Sequence, residues 1–436
     1  MNTTQSCIRL HLPANTAWVG LVQNAAEQAG AVFGLDPSKT LRLVNCAEEL
    51  LQFLASAEAG EIEITLRPVA TGVEIGVSFP SADLDLSALN MVSSPNTNGE
   101  EPDWMSLPLL LASRMSDGFR VGMEGRFMEI VLRVDKAYPD TEPFAAERVQ
   151  MQGQPTLSPV EDAQAIFEAC SAITTLFPGY VVADWCICPG KTGDQLQAGE
   201  IFALEARDAA DRQCGIILWT MRSEQSVNFY GPYDFTTDNS VAEKLINGLL
   251  QAMGRTKAKI VFSSLATQSL AEYGFELLAE LPNLLEGSES PVMQSIWGRM
   301  LQEDFGGAVW THPEFSEFLQ SRYDALELVR DMRPVTDLGE ALQANSVIGV
   351  RLNPRLSQAI LSPELNGADM GENLSRHVTT LTSAGYRNIF FEIDLTKGWQ
   401  AAMGGHLTQC AFQPELLLPH GRQSDTLTFR HVPESR

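Results

Sequence analysis

The chain lacks any apolar run approaching the roughly 20 residues that a bilayer-spanning helix requires. It is also short of basic residues: 30 Lys and Arg stand against 55 Asp and Glu, for a formal charge of -25. A field of that sign repels polyanions and argues against a protein that binds nucleic acid by neutralising phosphates. Aromatic residues are thinly spread, with no basic stripe among them, so a single-strand stacking platform is not expected. Cysteines number seven, an odd count, and the opening MNTTQSCIRLHLPAN has neither a basic flank nor a long apolar stretch. Both features predict a reducing, cytoplasmic setting and argue against a secreted disulfide framework. No Gly-x-Ser-x-Gly is present, which argues against a hydrolase nucleophile elbow. The pair Cys186 and Cys188, if on a strand, would face one way, but no second pair and no nearby His completes the four ligands of a structural zinc site. His406 and His420, in the last domain, read as surface or loop residues.

What is present is a folded composition, 44% hydrophobic and 19% charged over 436 residues, long enough for about two to four domains. The first segment, 1–138, reads as a short strand from Ile8 to Leu12 and then a helix capped by Asn15 and stopped at Gly34. The apolar face of that helix carries Trp18, Leu21, Val22, Ala25, Ala29 and Val32. A second helix spans about Ser38 to Ala57, with Leu41, Val44, Leu50, Leu51 and Leu54 inward. Strands are predicted at Ile62–Arg67, Val73–Phe79 and Phe127–Val134, with a polar loop from Ser94 to Asp103 and a helix from Leu107 to Ser116. This order predicts an α/β sandwich with helices on one sheet face.

Residues 139–160, with MQGQPTLSP, read as an extended linker. A second domain, 161–290, opens with a helix bearing Ala163, Ile166, Phe167, Ala169 and Cys170. Strands at Ile201–Glu205 and Cys214–Trp219 follow. After FYGPYDFTTDNS come a helix from Val241 to Met253, a strand at Lys259–Ser264 and a helix–strand pair ending near Leu281. Residues 291–333 read as a helical connector, and 334–436 as a third domain. A weak internal repeat relates Val241–Leu265 to Asn373–Ile393: each is a helix, a turn and an apolar strand, followed by a terminal strand near Phe275 or Phe412.

The stretch Leu43-Val44-Asn45-Cys46-Ala47-Glu48-Glu49, with Leu107-Pro108-Leu109-Leu110-Leu111 later, resembles the anti-sigma serine-kinase branch of the GHKL, histidine kinase-like, ATPase fold. The resemblance implies a Glu that polarises an attacking water or hydroxyl and an Asn four residues on that ligates magnesium. Glu49 falls at the first position, but the second is Phe53, and an aromatic ring cannot hold a hard cation. Neither an acid after Val77-Ser78-Phe79 nor a Gly-rich lid at Asp103-Trp104-Met105-Ser106 completes the nucleotide site. ATP with magnesium is therefore not expected to bind, and Phe53 and Trp104 are expected to fill the pocket.

Residues 161–285 resemble the GNAT acyl-CoA N-acyltransferase fold, and 334–436 resemble half of one more weakly, through Ser383–Ile393, Gly398-Trp399 and Phe412–Pro419. The resemblance implies a turn that holds the coenzyme A pyrophosphate on free helix N–H groups. The matching stretch is Thr237-Asp238-Asn239-Ser240-Val241-Ala242, where only Ala242 fits the motif and Asp238 puts a negative charge where phosphate would sit. Asn239, Ser240, Val241 and Ala242 are the cofactor-binding candidates, Glu205 the candidate base and Tyr273 the candidate acid.

The expected fold class is thus α/β (α+β), a GHKL-like sandwich followed by two GNAT-like mixed-sheet modules. The first functional expectation is a regulatory protein with a degenerate active site that acts by binding a protein partner, with a homo-oligomer open. The alternative is a GNAT-type N-acyltransferase using acetyl-CoA, with the N-terminal domain regulatory. No metal is expected.

Overall fold

The computed structural model describes residues 7–80, 84–93, 105–124, 126–139, 146–285, 287–288, 290–336, 342–422 and 424–433. It is a mixed α/β protein with several sheets. By its internal packing the chain divides into two compact units. One comprises residues 1–137 with 338–350 and 361–380; the other comprises 138–337 with 351–360 and 381–436.

The first unit contains β1 (Ile8–Pro13), α1 (Val19–Val32), α2 (Pro37–Ser56), β2 (Glu61–Val69), β3 (Gly72–Pro80), α3 (Leu107–Met115), β4 (Gly118–Glu124) and β5 (Phe127–Asp135). The strands form an antiparallel sheet of order β1-β2-β3-β5-β4. Alternation in β2 puts Ile62, Ile64 and Leu66 on the core face, where they join Leu43, Leu50, Leu51, Phe53 and Leu54 of α2. Asp36 starts α2 by accepting from the Lys39 amide, with Pro37 in the first turn. Two expectations are corrected here. β4 is an additional strand, paired with β5. The buried face of α1 is Val22, Ala26, Ala29 and Gly30, while Trp18, Leu21 and Val32 are exposed, as is Leu41 of α2. Small residues let α1 approach α2 closely and turn the bulky ones outward. The Ser94–Asp103 loop and Trp104 lie outside the described residues.

The second unit opens with β6 (Thr156–Pro159), α4 (Ala163–Leu176), α5 (Pro189–Gln197), β7 (Ile201–Arg207), β8 (Gln213–Met221), β9 (Ser226–Asp234), α6 (Ala242–Met253), β10 (Ile260–Leu265), β11 (Glu276–Asn283) and β12 (Val292–Met300). These strands make one sheet of order β11-β12-β10-β9-β8-β7-β6. Every neighbouring pair is antiparallel except β9 and β10. The parallel pair requires a crossover, and α6 supplies it. At Gly248 a methyl group would stand 2.7 Å from Leu157 Cδ1, so glycine lets α6 sit directly on the β6–β7 edge. Helix α4 covers the opposite face, with Ile166, Ala169 and Ile173 buried.

Several sequence readings change in this unit. The stretch read as linker contains β6, and Val149 makes an isolated bridge to Thr236. Strand β9 covers a stretch for which the sequence predicts no strand. All its residues but Tyr230 are buried, so it lacks the alternation that marks a half-exposed strand. Val292–Met300 is strand, not helix, because it lies between β10 and β11 and is hydrogen-bonded to both. Cys186 and Cys188 are not on a strand; the turn at Asp184–Ile187 buries Cys186 and leaves Cys188 exposed.

The remaining elements are β13 (Gly307–Thr311), α7 (Pro313–Ala325), β14 (Arg330–Pro334), β15 (Val347–Asn353), β16 (Gln358–Leu365), α8 (Met370–Ser383), β17 (Asn388–Asp394), α9 (Gly398–Ala401), α10 (Gly404–Gln409), β18 (Phe412–Leu418) and β19 (Thr426–His431). β13 and β14 pair in parallel, so only α7 is helical within the predicted connector. A further sheet has the order β15-β16-β17-β19-β18. Its β17-β19-β18 portion repeats the β10-β12-β11 arrangement: the last strand inserts between the strand after the long helix and the one that precedes it. The repeat read from Val241–Leu265 and Asn373–Ile393 therefore has a counterpart in strand order.

A buried ionic network belongs to the second unit. Arg330 donates to Asp304 at 2.6 Å and to Asp425 at 2.7 Å. Asp425 also accepts from Tyr323 at 2.9 Å and from the His420 amide at 2.9 Å, and the His420 imidazole meets Asp304 at 2.9 Å.

Candidate functional site

The turn between β9 and α6 is where the sequence places a phosphate-type site. A helix N-terminus can bind an anion only if its first N–H groups are free to donate. Here they are not. Asp234, the last residue of β9, is 4% exposed and turns its carboxylate back onto the helix start. Its Oδ2 accepts from the amides of Val241 at 2.7 Å and Ala242 at 2.9 Å. Its Oδ1 accepts from the amide of Thr236 at 2.8 Å and from Thr236 Oγ1 at 2.5 Å. The intramolecular carboxylate thus occupies the donors, and the favourable end of the helix dipole, that an external phosphate would need.

Neighbouring groups hold this turn. Arg148 Nη1 donates to the carbonyls of Asp234 at 3.1 Å and Thr236 at 3.0 Å, with its guanidinium over the Phe177 ring. Thr236 Oγ1 also accepts from the Ser240 amide at 3.2 Å. Asn239 adopts a left-handed φ of 54° and presents Oδ1 to Arg148, while Ser240 is exposed. Neither Asn239 nor Ser240 caps α6. Asp238 is exposed, and hydrogen bonds from Ser240 and Thr236 hold its carboxyl below the usual carboxylate range. The negative charge at the helix start comes from Asp234, not Asp238.

The strands themselves diverge here. Ile260, Val261 and Phe262 pair with Ser226, Val227 and Asn228, after which the register shifts to Leu265 opposite Tyr230. Past that point Thr267 Oγ1 donates to the Pro232 carbonyl at 2.5 Å, so a side chain spans the opening between β9 and β10.

Glu205 and Tyr273 are not brought together. Glu205 lies on β7, 7% exposed, and its two oxygens accept from Arg207 Nε at 2.9 Å and Gln213 Nε2 at 2.7 Å. Tyr273 lies in the turn before β11, with its carbonyl bonded to Arg299 of β12 and its hydroxyl to Gln268. In sheet order β7 and β12 are four strand spacings apart, on the order of 19 Å. Tyr273 packs on the α6 side of the sheet. Glu205 shares its strand face with Ile201 and Ala203, which pack on the α4 side.

In the first unit, Glu49 sits half-buried on α2, its carboxyl raised above the usual range by burial and by neighbouring Glu48. Glu48 accepts from Gln23 at 2.7 Å and Gln52 at 2.9 Å. Phe53, one turn further on, is 4% exposed and belongs to the core. Among the described residues no group of three His, Cys, Asp or Glu could hold a metal ion, and no helix is long and apolar enough to cross a membrane.

Sequence reasoning missed Asp234, Arg148 and Thr267. The readable signal was Asp234-Phe235-Thr236, an Asp followed two residues later by a hydrogen-bonding Thr, which favours a turn in which the acid bonds the local backbone.

No family model matches the chain, and no curated protein matches it. Solved structures do. The putative acetyltransferase yncA from Salmonella typhimurium, determined with its cofactor acetyl-CoA, is similar over 35% of this chain and 97% of its own, at 13% identity and a TM-score of 0.31. Mutant forms of the spermidine/spermine N-acetyltransferase SpeG from Vibrio cholerae match over 34% of this chain and 95% of theirs, at 11% identity and a TM-score of 0.28. A putative acetyltransferase of the GNAT family from Desulfovibrio desulfuricans matches over 34% and 99%, at 10% identity and a TM-score of 0.28. The structural neighbours of this chain are thus acetyltransferases, and each is similar to about a third of it.

Proposed function

We propose that this protein acts by binding other proteins and not by acyl transfer. In this reading, residues 161–290 and 334–436 are acetyltransferase-like modules serving as a scaffold, and residues 1–138 are a degenerate anti-sigma-type domain with a regulatory role. The observation that carries the reading is the Asp234 carboxylate on the amides of Val241 and Ala242. A coenzyme pyrophosphate would have to displace a buried anion from those amides and would be repelled by it, so these residues do not fit coenzyme A. The separation of Glu205 from Tyr273 and the commitment of Glu205 to Arg207 support the same reading. In the N-terminal domain, Phe53 in the core supports a partner-binding role over nucleotide chemistry.

Calorimetric titration of the full chain with acetyl-CoA, and then with ATP and magnesium, tests the proposal. No acetyl-CoA binding that is lost in Ser240→Glu is expected, and no magnesium-dependent binding of ATP. Micromolar acetyl-CoA binding that disappears in Ser240→Glu would establish the acyltransferase alternative instead. Magnesium-dependent ATP binding would overturn the account of Phe53.

A further inference from the structure

Three arginines from separate segments meet one carboxylate. Arg222 follows β8, Arg351 lies on β15 and Arg422 is in the turn between β18 and β19. Each places Nη2 near the same oxygen, Glu392 Oε2 on β17, at 3.2, 3.2 and 3.4 Å respectively. The Glu392 side chain is 8% exposed, whereas that of Arg351 is 66% exposed. One guanidinium neutralises one carboxylate, so three leave two positive charges at this spot in a chain that carries -25 overall. The spacing is also loose, because a committed charge-assisted pair closes to about 2.7–2.9 Å. Among the described residues, the side chains of Arg351 and Arg422 make no other hydrogen bond. Arg222 is fixed separately, by donating Nε to the Gly421 carbonyl at 3.0 Å and lying over the Phe262 ring. Thr428 faces Glu392 across the β17–β19 ladder; it is 5% exposed, and its hydroxyl has no partner. Asp394, two residues along the same strand, has its Oδ1 engaged by the amide and hydroxyl of Thr396.

We infer that the cluster of Arg222, Arg351 and Arg422 around Glu392 is a binding site for a phosphate monoester dianion. A phosphate ester carries about -1.5 to -2 charges at neutral pH, which matches the surplus. Guanidinium forks donate to phosphate oxygens in pairs. Glu392 holds the arginines together without exhausting their donors, and the exposed Arg351 is the member free to swing onto a ligand. The site is remote from the α6 turn in sequence and does not depend on how that turn is used.

The test is calorimetry of the full chain with inorganic phosphate, adenosine monophosphate, a phosphoserine peptide and its unphosphorylated counterpart. Wild-type protein should bind phosphate. Arg351→Ala should weaken that binding about tenfold or more without shifting the thermal midpoint, since the side chain is mostly in solvent. Glu392→Gln should tighten it by removing the competing anion. Tighter binding of the nucleotide than of free phosphate identifies a nucleotide source, and tighter binding of the phosphopeptide a protein source. Failure of all three phosphates to bind wild type, or equal binding by wild type and Arg351→Ala, overturns the inference. Should Glu392→Gln fail to fold, the Arg351→Ala comparison decides alone.

Discussion

Asp234 precedes Val241 by seven residues, yet its carboxylate lies 2.7 Å from the Val241 amide and closes the start of α6 from within. A strand end and a helix start are thereby tied through one buried anion that serves four donors. Removing it should leave the amides of Val241, Ala242 and Thr236 without an acceptor in a buried turn. Asp234→Ala is therefore expected to lower stability by about 1–3 kcal/mol, and Asp234→Asn by less, measured by urea denaturation. Equal stability of wild type and Asp234→Ala would show that the cap contributes nothing.

Phe53 occupies the position at which the GHKL resemblance expects a magnesium ligand. Because it is 4% exposed within the first unit's core, Phe53→Asn should not create nucleotide binding. It should instead destabilise the protein by about 3–5 kcal/mol, as deletion of a buried ring does. Calorimetry with magnesium-ATP and a thermal melt read the two effects separately.

The network around Arg330 predicts a large effect from one carboxylate. Asp425 is fully buried and accepts from Arg330, Tyr323 and the His420 amide. Asp425→Ala would leave Arg330 to Asp304 alone and the Tyr323 hydroxyl and His420 amide without their acceptor, and should cost about 1–3 kcal/mol, lowering the thermal midpoint by several degrees. An unchanged midpoint would mean that solvent reaches Arg330.

His377 gives stability a pH dependence of known sign. It is fully buried on α8; burial lowers its pKa, outweighing the hydrogen bond of Nδ1 with the Asn373 carbonyl. The unfolded chain takes up the proton near the ordinary value of about 6.5 and the folded chain resists it. This contribution is therefore present above that pH and is lost as pH falls below it. Burial lowers the pKa of His312 and His431 in the same direction. Stability should decline between about pH 7.5 and 5.5, and His377→Gln should flatten the decline. Denaturation midpoints for both proteins across that range supply the comparison.

Thiol reactivity should follow exposure. Cys7 and Cys188 are exposed, whereas burial pushes the Cys46 thiol up to about 12 and the Cys186 thiol well above its ordinary value. A thiol-specific reagent should modify Cys7 and Cys188 first in the native protein. Early labelling of Cys186 at the same rate would contradict its placement in the α4 core.

The local alphabet of the fold was legible where a single face is buried. In β2, alternation marks the strand, and the apolar spacing of Leu50, Leu51 and Leu54 marks α2. It failed where neighbours decide the conformation. β9 is buried on both faces, and β12 is held by hydrogen bonds to β10 and β11, neither of which appears in its own residues. The site shows the same limit. Sequence points to Asp238 as the acid at the turn because it is nearest the helix, but only the fold of β9 back toward α6 reveals Asp234 as the carboxylate on the amides. The cluster at Glu392 joins Arg222 and Arg422, 200 positions apart, and has no local signature.

The start of α6 is occupied by the protein's own carboxylate. Hydrogen exchange of the peptide covering residues 237–245, followed with and without acetyl-CoA, tests it most directly. Slow exchange is expected at Val241 and Ala242, unchanged by acetyl-CoA, with fast exchange there in Asp234→Ala. Added protection of the wild-type peptide by acetyl-CoA, or equal exchange in wild type and Asp234→Ala, would contradict it.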